Sequence, residues 1–272
     1  MNFQTYSIPP EQASNLPSQF KAEFHHTRKY LKDALLGVFR SPVAPLRTGD
    51  RRPVILIPGW LGRTHSFKCL QERIHQIGHP VYIIPLGFQV GNILKKSRRL
   101  SGFLTENRLE DAYVVAHSMG GLISIGAMLL GERRISRLWT LGSPIYGTYV
   151  TYILYLLSLA VALWGVSAGI PSALIALLVF ALPSLRQMTP GSDLLTWFSG
   201  SYPAMENVRC IFAKIDQIVI TSLKAPGKPP RLGRDDDICL PEYGHANLFM
   251  GEHAIQCIID QLKQAENLKS QI

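Results

Sequence analysis

The sequence predicts an α/β protein with a mostly parallel sheet flanked by helices. Three observations carry that prediction. Short apolar runs, "PVILIPG" (53–59), "VYIIP" (81–85), "AYVVAH" (112–117) and "RLWTLGS" (137–143), recur along the chain. Helix-period segments, "SFKCLQERIHQIG" (66–78), "NILKKSRRLSGFLTE" (92–106) and "MGGLISIGAMLLGE" (119–132), lie between them. The apolar runs are continuous rather than alternating, as expected of strands buried on both faces. Strand and helix in alternation give right-handed βαβ units and hence a parallel sheet.

Taken in order, residues 1–19 read as a loose, Pro-rich and polar arm. "FKAEFHHTRKYLKDALLGVF" reads as an amphipathic helix and "RSPVAPLRTGDRRP" as a linker, so 1–52 forms an N-terminal arm, helix and linker. Within 66–78, Phe67, Leu70, Ile74 and Ile77 make one helical stripe that Gly78 ends. After a long break come two further strands, "VRCIFAKID" (208–216) and "DICLPE" (237–242), and a last helix around "GEHAIQCIIDQLKQ" (251–264). Residues 53–144 and 201–272 therefore make the core, with 145–200 inserted between them.

The insertion is unusually oily. No Asp, Glu, Lys or Arg occurs between Arg137 and Arg186, and "YVTYILYLLSLAVALWGV" (149–166) is followed by "IPSALIALLVFALP" (170–183). The first run is just long enough for a bilayer, which needs about 20 residues, and the second falls short. An oily insertion, rather than a clean two-span anchor, is the preferred reading.

Length and composition fit one large domain that can bury an ample core. With 28 Lys plus Arg against 19 Asp plus Glu, the chain is biased toward anionic surfaces. Its basic stretches, "LRTGDRR" (46–52), "KKSRR" (95–99) and "KAPGKPPRLGR" (224–234), lack the interleaved aromatics on which single-stranded nucleic acid stacks. A lipid headgroup surface fits them better than nucleic acid. Cys69, Cys210, Cys239 and Cys257 stand too far apart for a CxxC pair or a zinc site. The opening "MNFQTYSIPPEQASNLP" has neither basic n-region nor apolar h-region, so no signal peptide is expected, and a cytoplasmic, membrane-associated location is.

The chemistry centres on "VVAHSMGG" (114–121), where a strand runs straight into Ser118. A nucleophilic serine needs a sharp strand-to-helix turn that lifts its hydroxyl clear, and such a turn tolerates only small neighbours, here Ala116 and Gly120. A helix-capping serine would suit the same junction but would not require small residues on both sides. The hydroxyl needs a base, and the base an orienting carboxylate. Sheet order places the acid after a late strand and the histidine after the last one. Asp216, ending "VRCIFAKID", and His245, in "PEYGHANLF", occupy those positions.

Other candidates fit worse. Asp111 and Asp235 to Asp237 precede their strands, and Asp193 lies in the insertion. His25, His26, His65, His75 and His79 come too early, His253 lies on the last helix, and His117 reads as a turn-lining residue. The turn in "IPGWLG" (57–62) offers the backbone NH of Trp60 opposite that of Met119 as a pair of oxyanion donors.

Together "IPGWLG", "AHSMGG", "LGSPIYGT" (141–148), Asp216 and His245 resemble the α/β-hydrolase superfamily, in its lipase and esterase branch, over roughly residues 53–262. "LGSPIYGT" is similar to the stretch that leads into the lid of many lipases, and "LRQMTPGSDLL" (185–195) to the segment that leads out. The chain departs from the pattern in carrying Ala116 where Gly is usual, and Pro58 in place of the His of the oxyanion turn. The resemblance implies Ser118 as nucleophile, His245 as base, Asp216 as its partner, Trp60 and Met119 as oxyanion donors, and no cofactor or metal. It implies a carboxylic ester hydrolase for apolar or lipid substrates, with 145–200 as an apolar helical lid or cap that makes membrane contact through 149–183, ahead of a pure membrane anchor. Acyl transfer or thioester cleavage on the same residues, and a non-catalytic membrane scaffold, are the alternative functions.

Overall fold

A computed structural model describes residues 4–6, 16–37, 39–87, 89–167, 183–220 and 235–269. Its strands are β1 (Gln4–Thr5), β2 (Val54–Ile57), β3 (Val81–Ile83), β4 (Ala112–His117), β5 (Ile135–Leu141), β6 (Val208–Ile215) and β7 (Ile238–Tyr243). They form one sheet in the order β1-β7-β6-β5-β4-β2-β3, and every neighbouring pair is parallel. Parallel strands need crossovers, and between β2 and β5 helices supply them: α2 (Lys68–His75), α3 (Ile93–Glu106) and α4 (Met119–Leu129); after β7 come the short α8 (Asn247–Met250) and α9 (Glu252–Lys269).

The unbroken apolar runs are explained by burial on both faces of the sheet. Ile55 and Ile57 of β2, with Val114 and Ala116 of β4, pack on the side of α3 and α4. Val54, Leu56, Tyr113 and Val115 point the other way, against Phe67, Leu70 and Ile74 near α2 and Ile255, Ile258 and Leu262 of α9. Because successive side chains alternate sides, a strand between two helical layers must be apolar at every position.

The arm is not loose throughout. Gln4–Thr5 adds an edge strand to the sheet, in register with Ile238 and Cys239 of β7. Two residues held by backbone bonds alone leave no periodic signal in a sequence. The N-terminal helix α1 begins earlier than expected, at Leu16, and runs to Leu36.

Between β5 and β6 the described part of the insertion holds α5 (Val150–Ser167), α6 (Pro183–Gln187) and α7 (Asp193–Ser201). All of the second apolar run but Pro183, and the whole of the basic stretch 224–234, lie outside the described residues. Among the described residues no helix is long and apolar enough to cross a membrane. The topology gathers four segments at the carboxyl edge of the sheet: the turn after β2, Ser118 after β4, Asp216 after β6 and His245 after β7. That edge is where ligands collect in open α/β sheets.

Candidate active site

Ser118 joins β4 to α4 with φ 52° and ψ −123°, a conformation that a side chain makes costly. The neighbours hold it there. Its N–H donates to the Leu141 carbonyl at 2.8 Å, and its own carbonyl accepts from the Ser143 hydroxyl at 2.7 Å. The Ser118 side chain makes no capping hydrogen bond to α4, so its hydroxyl is not occupied as a cap would be.

The first constraint on Gly120 differs from the one the sequence suggests. A Cβ on Gly120 would lie 2.5 Å from the Ile57 carbonyl oxygen and 3.0 Å from that of Pro58. The nearest obstacle is therefore the end of β2, against which the first turn of α4 is pressed, rather than Ala116. That contact brings the Pro58–Trp60 turn beside Ser118.

Asp216 and His245 meet directly. His245 Nδ1 donates to Asp216 Oδ2 at 2.7 Å, and Asp216 Oδ1 accepts from the N–H groups of Ile218 and Val219, both at 2.8 Å. With Nδ1 as donor, Nε2 is the nitrogen left to take a proton. Gly142, at φ +57°, leaves room for this pair: a Cβ there would lie 3.1 Å from Asp216 Oδ2 and 3.2 Å from His245 Nδ1. Burial opposes charge on both partners, yet each stabilises the other. Burial pushes the Asp216 carboxyl up, but the imidazole charge and hydrogen bond, with the two backbone N–H groups, bring it below the ordinary aspartate value. Burial pulls His245 down, and the charge and hydrogen bond of Asp216, then the charge of Glu23, carry it above the ordinary histidine value.

His117 lines the turn. Its Nε2 donates to the His245 carbonyl at 3.1 Å, and its ring lies 4.5 Å from that of His245 and 4.3 Å from that of Phe249, centre to centre. Complete burial, and then the neighbouring His245 charge, push its pKa well below the usual value, which keeps it neutral.

Ser118, His117, His245 and Trp60 share one cavity of about 180 Å³, whose other walls include Tyr30 and Leu31 of α1. Trp60 is held from both sides: its indole N–H donates to Ser184 at 3.2 Å, and its carbonyl accepts from the Tyr30 hydroxyl. Met119 buries its side chain in the core behind the turn. Among the described residues no hydrogen bond engages the backbone N–H of Trp60 or of Met119. Both remain available as donors.

Sequence reasoning missed the contribution of α1. Tyr30 walls the cavity, and Glu23 accepts hydrogen bonds from the N–H groups of Ala246 at 3.0 Å and Asn247 at 2.9 Å. The available signal was a polar stripe at helical spacing, Gln19, Glu23, His26, Thr27 and Tyr30, which in isolation reads as a solvated face.

No family model matches the sequence, and no curated protein matches it. Solved structures do match. A monoacylglycerol lipase from Paleococcus ferrophilus is 17% identical with a TM-score of 0.54, over 80% of this chain and 96% of that one. An α/β-hydrolase enzyme from the metagenome of Mar Chica lagoon sediments is 18% identical with a TM-score of 0.53, over 80% and 94%. A Bacillus licheniformis lipase in propeptide form is 13% identical with a TM-score of 0.58, over 82% of this chain and 54% of that one. The chain adopts the α/β-hydrolase fold, as the all-parallel sheet and the serine turn already indicate.

Proposed function

We propose that this protein is a serine hydrolase that cleaves carboxylic esters of apolar or lipid substrates. The observation that carries the reading is a serine in a strained turn facing the same cavity as a histidine bonded to a buried carboxylate. In this account His245 Nε2 takes the Ser118 hydroxyl proton as Oγ adds to the ester carbonyl. The N–H groups of Trp60 and Met119 receive the developing oxyanion. His245 returns the proton to the leaving alcohol, and an acyl-enzyme remains. Water, deprotonated by His245, then adds to the acyl carbon, and the acid leaves as Ser118 regains its proton. Asp216 stays ionised throughout and stabilises the imidazolium of each step.

The apolar walls of the cavity, Trp60, Leu31, Ile218 and Phe249, support an apolar acyl group. Contact with a lipid surface through 149–183 is supported by α5, where Leu156 is 68% and Trp164 62% exposed. A helix apolar on all sides calls for a nonpolar surrounding. Medium-chain p-nitrophenyl esters, followed by a lipid-class screen on detergent-solubilised protein, test the reading. Turnover that survives Ser118→Ala would overturn it.

A further inference from the structure

Helix α1 lies outside the alternating core and packs with its polarity reversed. Phe20, Phe24, Leu31 and Leu35 are exposed, Phe24 and Leu35 each by 73%, while Glu23 is only 4% exposed. An amphipathic helix on a protein surface normally turns its apolar stripe inward. Here the inward face is polar, and its bonds lead to the active site. Tyr30 reaches the Trp60 carbonyl, and His26 Nδ1 lies 2.6 Å from Asn247 Oδ1.

Glu23 is the centre of that face. Besides Ala246 and Asn247, its carboxylate accepts from the Thr27 hydroxyl at 3.1 Å and from the Gln217 side-chain amide. Gln217 in turn accepts the N–H of His245 at 3.2 Å. Three consecutive N–H groups, those of His245, Ala246 and Asn247, thus end on Glu23 or on the amide that it holds. All the donors converge on acceptor oxygens, which suits a carboxylate and would not suit an amide. The approach is close enough that a Cβ on Gly244 would collide with the Glu23 side chain.

We propose that Glu23 is a positioning residue that fixes the backbone of the His245 loop and so aims the imidazole at Ser118. The proposal rests on the hydrolase reading for its consequence in turnover, but not for its geometry. A carboxylate that served packing alone could be replaced without slowing the reaction. Glu23 also acts on the imidazole through its charge, and Gln217→Ala, which leaves that charge in place, separates the two effects. Among the described residues, the charged or titratable groups facing His245 are Asp216 from the loop after β6, Glu23 from α1 and His117 at the end of β4. Of these, Asp216 and Glu23 favour its protonated form and His117 is neutral.

The test measures inactivation by a fluorophosphonate across pH, and the His245 imidazole titration by NMR, in the wild type, Glu23→Gln, Glu23→Asp and Gln217→Ala. Glu23→Gln should react about 100-fold more slowly, the scale of an approximately 1 Å misplacement, and its His245 midpoint should move to lower pH. Glu23→Asp, which keeps the charge but is a methylene shorter, should lose rate while holding the midpoint near the wild-type value. Gln217→Ala should slow the reaction without moving the midpoint, and it decides the matter if Glu23→Gln does not fold. A wild-type rate in Glu23→Gln or in Gln217→Ala overturns the proposal. A wild type that never reacts refutes the hydrolase reading, and the backbone amide shifts of His245, Ala246 and Asn247 then judge Glu23: they should move in both Glu23→Gln and Gln217→Ala, and unmoved shifts overturn the proposal.

Discussion

The conformation of Ser118 predicts a substitution that destroys activity and raises stability. At φ 52° and ψ −123° a residue with a side chain sits in a sparsely populated region, at a penalty of about 1–3 kcal/mol. Ser118→Ala keeps the Cβ and the penalty while removing only the hydroxyl, which makes no capping bond. Ser118→Gly removes the Cβ and releases the strain, but the freer unfolded chain takes back about 0.5–1 kcal/mol. At the middle of both ranges the net advantage of Gly over Ala is therefore about 1 kcal/mol. At about 2–4 °C per kcal/mol for domains of 150–250 residues, the Gly variant should melt a few degrees above the Ala variant. Differential scanning fluorimetry of the two variants, each inactive, is the assay. If Ser118→Gly melts at or below Ser118→Ala, the turn is not strained and the reasoning fails.

The pH profile follows from His245, which must be neutral to accept a proton. Its pKa lies above the ordinary value of about 6.5, so kcat/KM on a neutral ester should fall as pH drops, with a midpoint above that value; a midpoint below it contradicts the ion pair. Gly120→Ala should lower the melting temperature, because a Cβ 2.5 Å from the Ile57 carbonyl meets backbone that cannot rotate away. Overpacking of about 1–3 kcal/mol outweighs the roughly 1 kcal/mol that Ala adds to a helix, and an unchanged melting temperature would refute this. Replacing the exposed Leu156 and Leu157 of α5 with Glu should weaken co-sedimentation with phosphatidylglycerol vesicles at least about tenfold, since each buried leucine contributes about 1.5–3 kcal/mol. Unaltered co-sedimentation would remove α5 from any membrane contact.

Much of this architecture is legible in the chain because it is encoded locally. β4 spans the predicted Ala112–His117, and Asn92 caps α3 through Lys95 N–H where the helix was expected to start. Strands sandwiched between helices must be apolar at each position, and that pattern needs no partner to be read. Asp216 and His245 could be found because strand ends have fixed meaning in a parallel sheet. Glu23 could not: it lies 223 residues from Ala246, and nothing in its own helix says which side faces inward. Its apolar stripe even points the wrong way. Gly142 escaped for a related reason, since its positive φ and its contacts with Leu248, Asp216 and His245 exist only once the chain has folded.

Intact-mass and peptide mass spectrometry after treatment with a fluorophosphonate tests the central claim most directly. The account predicts one adduct per chain, on Ser118, absent from Ser118→Ala and strongly slowed in a variant lacking the His245 imidazole. An unmodified wild-type protein, or an adduct on another residue, would contradict it.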